Sequence, residues 1–247
     1  MDFIKSARRA ENFEYVAETG STNADLVAKA SALQGFSVLV AGAQTAGRGR
    51  LGRVWVSPPE KSLAISVLVR PHGWALEDYG WLPLTAGLAM RRAVATALPS
   101  SNVILKWPND VQVEGKKISG ILSELLPDSS GVVIGAGINL TLSSEELPIE
   151  AATSLMLEGA EMSPDDFLDS YLAELQNLIA SPKVVAELVR GECATIGQSV
   201  KAIFPNGTEV YGDAVGIDGS GRLLISVPGE SQLLAVSAAD IQHLRHN

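Results

Sequence analysis

The sequence predicts an α+β protein: a mixed, largely antiparallel sheet with flanking helices, followed by a small β-barrel. Three observations predict it. Apolar runs of strand character alternate with stretches of helical periodicity. Four apolar runs between residues 103 and 142 are separated only by the polar turns PND, EGK and PDSS, which is the pattern of a meander. From about residue 196 the texture changes to five short apolar runs broken by PNG, DGSG and PGES, which suits a small barrel. These readings divide the chain into a larger domain over 1–195 and a smaller one over 196–247.

In order along the chain, FEYVAET (13–19) reads as a strand. STNADLVAKASAL (21–33) reads as a helix, because Ser21 or Thr22 can cap its first turn by accepting an otherwise unpaired backbone N–H. SVLVAGAQ (37–44) is apolar without alternation, so it is a strand covered on both faces. SLAISVLVR (62–70) is another, and GWLPLTAGLAMRRAVATAL (80–98) carries apolar residues at helical spacing. VILKW (103–107), VQV (111–113), KISGILSELL (117–126) and GVVIGAGINLTL (131–142) make the meander. PDDFLDSYLAELQNLIA (164–180) is an amphipathic helix entered through Ser163-Pro164, and SPKVVAELVRGEC continues the helical region.

At 247 residues and 46% hydrophobic, the chain can bury a substantial core. No apolar run approaches the roughly 18 residues of a membrane span, and the two arginines near the start are followed by no apolar signal segment. A cytoplasmic protein without membrane attachment is expected. The single Cys193 excludes an internal disulfide, and His72, His243 and His246 are too scattered for a metal site. The net charge of -9 is unevenly spread: residues 1–123 carry 14 Lys and Arg against 10 Asp and Glu, whereas residues 124–192 carry 2 against 13. A confined basic cluster in an acidic protein suits a small anionic ligand rather than a nucleic-acid backbone.

The basic cluster centres on QTAGRGRLGRVWVSPP (44–59). Gly47, Gly49 and Gly52 satisfy the spacing of the dinucleotide fingerprint, but that motif must open a helix, and here β-branched residues and two prolines follow. A kinase glycine loop fails for want of its companion motifs, and a Walker A loop for want of Gly-Lys-Ser/Thr. What remains is a mobile loop able to place guanidinium groups around phosphate or carboxylate, since glycine permits close backbone approach and arginine binds such oxyanions bidentately. A solvated basic loop is the plain alternative, although Trp55 then goes unexplained. KWPND (106–110) ends an apolar run with Lys106, whose ammonium needs an anionic partner. Read separately, Pro-Asn-Asp is also an ordinary turn, Lys117 a solvated lysine, GAGINL (135–140) tight sheet packing, and Ser21-Thr22-Asn23 a helix cap.

Taken together, TGSTN, QTAGRGRLGRVW, KWPNDV followed by KKISGIL, and GAGINL occur in the order found in biotin protein ligases, and over roughly residues 13–195 the chain resembles that family. The β-rich tail is similar to the family's C-terminal SH3-like domain. The resemblance implies a class II synthetase-like catalytic domain in which Ser21, Thr22, Asn23 and Gln44 hold the biotin ring system. It implies that Arg48, Gly49 and Arg50 cover the biotin carboxylate and the α-phosphate, and that Arg53 and Lys106 meet phosphate. Trp55 would cover the adenine side, Asn139 contact adenine, and Lys117 contact the reacting carboxylate and phosphate. Lys117 and Arg50 would thus be the catalytic pair, and Asn109 and Asp110 match the family motif as well. The resemblance further implies biotin and ATP as substrates, Mg²⁺ on the phosphates, no tightly bound prosthetic group, and a biotin carboxyl carrier domain as partner of a monomer or weak homodimer. Leu51 departs from members that carry another arginine there. The chain begins almost at the first predicted strand, so the helix-turn-helix of ligases that double as repressors is not expected, nor is DNA binding.

The chemistry fits the residues independently. Joining a carboxylate to an amine in water needs activation, and attack on the α-phosphate of ATP brings two anions together, which Arg and Lys must offset. A loop closing over the resulting adenylate would exclude water and slow its escape. Three rivals are a lipoate ligase, whose substrate loop is absent, a nucleic-acid binder, which the charge distribution opposes, and a nucleotide-binding regulator without turnover.

Overall fold

The computed structural model describes residues 1–55 and 58–244; residues 56, 57 and 245–247, at the ends of the glycine-arginine stretch and of the C-terminal region, lie outside the described residues. Before the first strand comes a short helix, α1 (Ile4–Ala7). Seven strands then build the larger sheet: β1 (Asn12–Val16), β2 (Ser37–Ala41), β3 (Ser62–Val69), β4 (Val103–Lys106), β5 (Asp110–Val113), β6 (Lys116–Leu125) and β7 (Val132–Asn139). Their spatial order is β1-β2-β3-β7-β6-β5-β4. β1 and β2 are parallel, joined by a crossover through α2 (Thr22–Lys29), and every other neighbouring pair is antiparallel. The sheet is therefore mixed and largely antiparallel, as the meander predicts.

The burial of each strand follows its place. Every residue of β2 and of β3 is buried, which their unbroken apolar runs require. β4 and β5 alternate buried with half-buried residues, one face in the core and the other open. On the core face lie α3 (Leu82–Ala97), α4 (Pro164–Ile179) and α5 (Pro182–Glu192). The Ser163 hydroxyl caps α4 by accepting the Asp166 N–H at 3.1 Å, and Pro164 occupies its first turn. The helical region predicted to run on past residue 180 breaks at Ser181, because the Pro182 ring cannot join the hydrogen-bond ladder of α4 and instead starts α5. α1 was not expected; the N–H groups of Ile4, Lys5 and Ser6 donate to the Asp165 carboxylate at 3.0, 2.9 and 2.9 Å, a cap supplied from α4 that leaves no local trace in sequence.

The five strands expected after residue 196 are β8 (Ser199–Ile203), β9 (Glu209–Ile217), β10 (Leu223–Ser226), β11 (Leu234–Val236) and β12 (Asp240–His243). They form an antiparallel sheet in the order β11-β10-β9-β8-β12. This is the five-stranded sheet that the barrel pattern predicts; among the described residues no ladder joins β11 to β12, so its edges are not closed by strand pairing. Val200, Ala214, Leu223 and Ile225 of this sheet belong to the same apolar core as the larger sheet. Two tryptophans tether the parts, Trp81 Nε1 donating to Gly219 O at 2.7 Å and Trp107 Nε1 to Gly221 O at 3.1 Å.

Candidate functional site

Missing side chains create the site. On the face of the larger sheet opposite α3, helix α2 covers only one end, over Leu39, Leu68 and Val133. Beyond its N-terminus β7 presents Gly135 and Gly137, and β6 presents Gly120 directly opposite Gly137. A Cβ at Gly135 would collide with the Asn23 carboxamide, and one at Gly137 would overlap the Trp55 indole. The bare backbone thus forms the floor of a cavity of about 330 Å³.

One end of the cavity is a closed network at the start of α2, whose cavity-lining members are neutral polar groups backed by the Glu124 carboxylate. Ser21 is the N-cap residue, its hydroxyl accepting the Ala24 N–H at 3.4 Å. Gln44 Oε1 accepts the Thr22 N–H at 2.8 Å and lies 3.0 Å from Thr22 Oγ1. The Ser66 hydroxyl lies 2.6 Å from Asn23 Oδ1 and 2.8 Å from Thr22 Oγ1. Asn23 Nδ2 donates to Leu122 O at 3.2 Å and to Glu124 Oε1 at 2.9 Å. Thr22, Asn23 and Ser66 are all buried.

The other end is cationic. Residues 47–55 fold back on themselves, Trp55 N–H donating to Gly47 O at 3.0 Å and Gly49 N–H to Arg53 O at 2.7 Å, with a bridge between Arg48 and Val54. The turn Arg50–Gly52 puts Leu51 at φ 57°, a left-handed conformation that a branched side chain rarely takes and that Gly52 shares at φ 74°. This hairpin presents Arg48, Gly49, Arg50, Arg53 and Trp55 to the cavity. Arg50 donates to Asn109 Oδ1 at 3.4 Å, and burial pulls its guanidinium pKa below the ordinary value, with Asp110 opposing that shift. Asn109 is itself fixed, its Nδ2 donating to Ile121 O at 2.9 Å. Lys117 Nζ lies 2.5 Å from Asp110 Oδ1 and 5.8 Å from the centre of the Trp55 ring. Arg53 pairs with Asp240 of β12. The buried Trp55 Nε1 has no partner among the described residues.

Of the residues singled out from the sequence, all but Lys106 line this cavity, Asn139 included, with its Nδ2 donating to Thr153 O at 2.9 Å. Lys106 stands one strand further out on β4; burial depresses its ammonium pKa, Asp110 partly offsets that, and Lys117 adds to it. Sequence reasoning missed a whole wall. Pro148, Ile149 and Ala152 line the cavity because the chain after β7 returns to Lys117, whose N–H donates to Ala151 O at 2.8 Å and whose carbonyl accepts the Thr153 N–H at 2.9 Å. The one sequence trace is the apolar Leu147-Pro148-Ile149 within an acidic run. Ser66 and Glu124 were missed as well.

A cavity with neutral polar groups at one end and four cations (Arg48, Arg50, Arg53 and Lys117) at the other suits a ligand that is a polar ring at one end and an oxyanion at the other. Comparison with known proteins agrees. Residues 15–139 match the Biotin/lipoate A/B protein ligase family and residues 195–244 the Biotin protein ligase C terminal domain. The chain is 40% identical to the biotin--[acetyl-CoA-carboxylase] ligase of Mycobacterium tuberculosis, with 94% of this chain and 89% of that protein covered. It is 34% identical to the ligase of the same name from Paracoccus denitrificans, covering 89% and 96%. A solved structure of the Aquifex aeolicus biotin protein ligase in complex with biotin and ATP superposes with a TM-score of 0.79 at 28% identity, covering 95% of this chain and 100% of that one. With both of its parts matched and its relatives aligned over nearly their whole length, the chain belongs to the biotin protein ligases of the biotin/lipoate ligase family.

Proposed function

We propose that this protein activates biotin with ATP to biotinyl-5'-AMP and pyrophosphate, then transfers biotin to one lysine of a biotin carboxyl carrier domain. The observation that carries the reading is the two-ended cavity over a glycine floor. Ser21, Thr22, Asn23 and Gln44 take the bicyclic ring. Its carboxylate points along the floor toward Lys117 and Arg50, where an oxygen attacks the α-phosphorus of ATP and the bond to pyrophosphate breaks. Lys117 and Arg50 are the catalytic pair: they offset the repulsion of two anions and the charge that builds on the phosphoryl oxygens. Arg48 and Gly49 close over the mixed anhydride, Arg53 and Lys106 serve the phosphates, and Trp55, Asn109 and Asn139 serve the nucleotide. Mg²⁺ arrives on the triphosphate as part of the substrate. In the second step the neutral amine of the carrier lysine attacks the acyl carbon, AMP leaves, and the amine proton is lost to give the amide.

The reading extends to a catalytic domain over 1–195 and an SH3-like domain over 196–247, acting in the cytoplasm as a monomer or weak homodimer. Among the described residues no helix is long and apolar enough to cross a membrane.

The family's description also names lipoate. A dithiolane ring offers no N–H to Thr22 Oγ1 or Gln44 Oε1, whereas the ureido ring of biotin offers two, and a site built for hydrogen bonds rejects a ligand lacking them. Pyrophosphate release with ATP should therefore proceed with biotin and fall by roughly a hundredfold or more with lipoate. A preference for lipoate, or no release with either acid, would sink the reading.

A further inference from the structure

Two residues outside the cavity, Ser66 and Glu124, lie behind the ring-binding end, and a count of hydrogens gives them a task. Asn23 Nδ2 faces two acceptors, the Leu122 carbonyl at 3.2 Å and the Glu124 carboxylate at 2.9 Å. Two acceptors cannot face a carbonyl oxygen, so the carboxamide is fixed with Oδ1 toward Ser66. Oδ1 can only accept; the single hydroxyl hydrogen of Ser66 is therefore committed to it across 2.6 Å. The Ser66 and Thr22 oxygens are nevertheless 2.8 Å apart and buried, and a contact that close needs a hydrogen between them. Only the Thr22 hydroxyl can supply it. Three oxygen contacts, at 2.6, 2.8 and 3.0 Å, share the two hydroxyl hydrogens, so the longest, Thr22 Oγ1 to Gln44 Oε1, is the one that goes without, and Gln44 Oε1 keeps the Thr22 N–H at 2.8 Å.

We propose that Glu124, acting through Asn23 and Ser66, fixes Thr22 as a hydrogen-bond acceptor toward the cavity, which makes Glu124 and Ser66 positioning residues that select a ring bearing an N–H donor. This rests on the assignment of this end to the ureido ring of biotin. Without the relay the Thr22 hydroxyl is free to turn its hydrogen into the cavity, and the selection weakens. Ser66 is wholly buried, and among the described residues its hydroxyl is hydrogen-bonded to Thr22 and Asn23, so deleting it is a change local to that network.

The test uses two cyclic carbamate analogues of biotin, each with one ureido N–H replaced by a ring oxygen of similar size. Calorimetry on the whole chain measures the affinity of biotin against each analogue, so that any general loss in a variant cancels within the ratio. The wild type should prefer biotin over one of the two by roughly tenfold or more, because that analogue leaves Thr22 facing an oxygen. In Ser66→Ala and in Glu124→Leu that preference should shrink to about threefold or less, and Glu124→Gln, which keeps an acceptor for Asn23, should restore it. Ser66→Ala carries the test alone if Glu124→Leu does not fold. An undiminished preference in Ser66→Ala overturns the relay while leaving biotin as the ligand. A wild type that binds no biotin overturns the assignment on which it rests.

Discussion

The two ends of the cavity are built on different principles. At the ring end Thr22, Asn23 and Ser66 are 3%, 6% and 0% exposed and bond to one another and to Gln44, Leu122 and Glu124 before any ligand is there. At the cationic end Arg48 and Arg53 are exposed, Arg50 makes one long bond to Asn109, and Lys117 leans on Asp110. Neutral dipoles can satisfy one another inside a protein, so a site for a neutral ring can be finished in advance. Converging cations cannot: they repel, and burying them without an anion is costly. Three of the four are therefore carried on a hairpin where Arg48 and Arg53 reach the surface, while Arg53 and Lys117 pair with the carboxylates of Asp240 and Asp110. On the proposed reading the ring end belongs to the fold, and the cationic end is completed by the ligand.

Removing Lys117 is the most forceful way to break this contrast. Lys117→Ala should slow adenylate formation by about 10²–10³-fold, the size of effect seen when one charge-stabilising donor is lost, and leave the melting temperature unchanged. Single-turnover pyrophosphate release beside a melting curve measures both. A melting point several degrees lower would show that the cationic end is as much a part of the fold as the ring end, and the contrast would be lost.

A smaller effect is expected at Arg50, which is asked to hold the adenylate as well as to make it. A charge-assisted contact is worth about 1.5–3 kcal/mol, or roughly 10- to 150-fold in residence time. Arg50→Gly should still form biotinyl-AMP but release it early, so that serum albumin incubated with biotin and Mg-ATP becomes labelled above the wild-type level on a streptavidin blot. Equal labelling by the two proteins would mean that the hairpin does not shield the intermediate. Loss of adenylate without labelling would confine Arg50 to the chemical step.

The mildest prediction sharpens the contrast through pH. Burial holds the Lys106 ammonium below its ordinary value of 10.5. In the free protein the charged form is therefore the disfavoured one: its burden on stability is present at low pH and is relieved as pH rises through the depressed value. A nucleotide phosphate beside it raises the value again, so ATP binding takes up a proton over that range. ATP affinity should then weaken as pH rises through the depressed value, by at most about tenfold per pH unit, while biotin affinity stays flat. In Lys106→Met the ATP slope should vanish; an unchanged slope would assign it to another group.

Much of the fold was legible because it is periodic. The spacing of α3 and α4 and the polar turns of the meander are written in consecutive residues, and β2 and β3 advertise burial on both faces by lacking polar alternation. The hairpin residues stood out because arginine and glycine in alternation have few other uses. What escaped depends on contacts between distant parts of the chain. Segment 148–152 is drawn to Lys117 by backbone hydrogen bonds, which any sequence can make. Ser66 and Glu124 are single polar residues in strands, and only the strand order β3-β7-β6 reveals that they share Asn23. Lys106 sits in the expected strand, but that strand lies at the sheet edge, a place set by pairing rather than by its own residues.

Where the floor is bare backbone it cannot be tuned. Gly120 and Gly137 face each other under the Trp55 indole, and any side chain at Gly137 would evict that ring. Substitution there is all or nothing, so gradual change in what the cavity accepts has no foothold at its centre. It has to enter from the rim, where Val54 and Ile149 are exposed, at 76% and 55%, and can be exchanged singly. Sequence drift among proteins of this architecture should therefore be slowest where the wall has no side chains at all, and fastest where side chains hang over the opening.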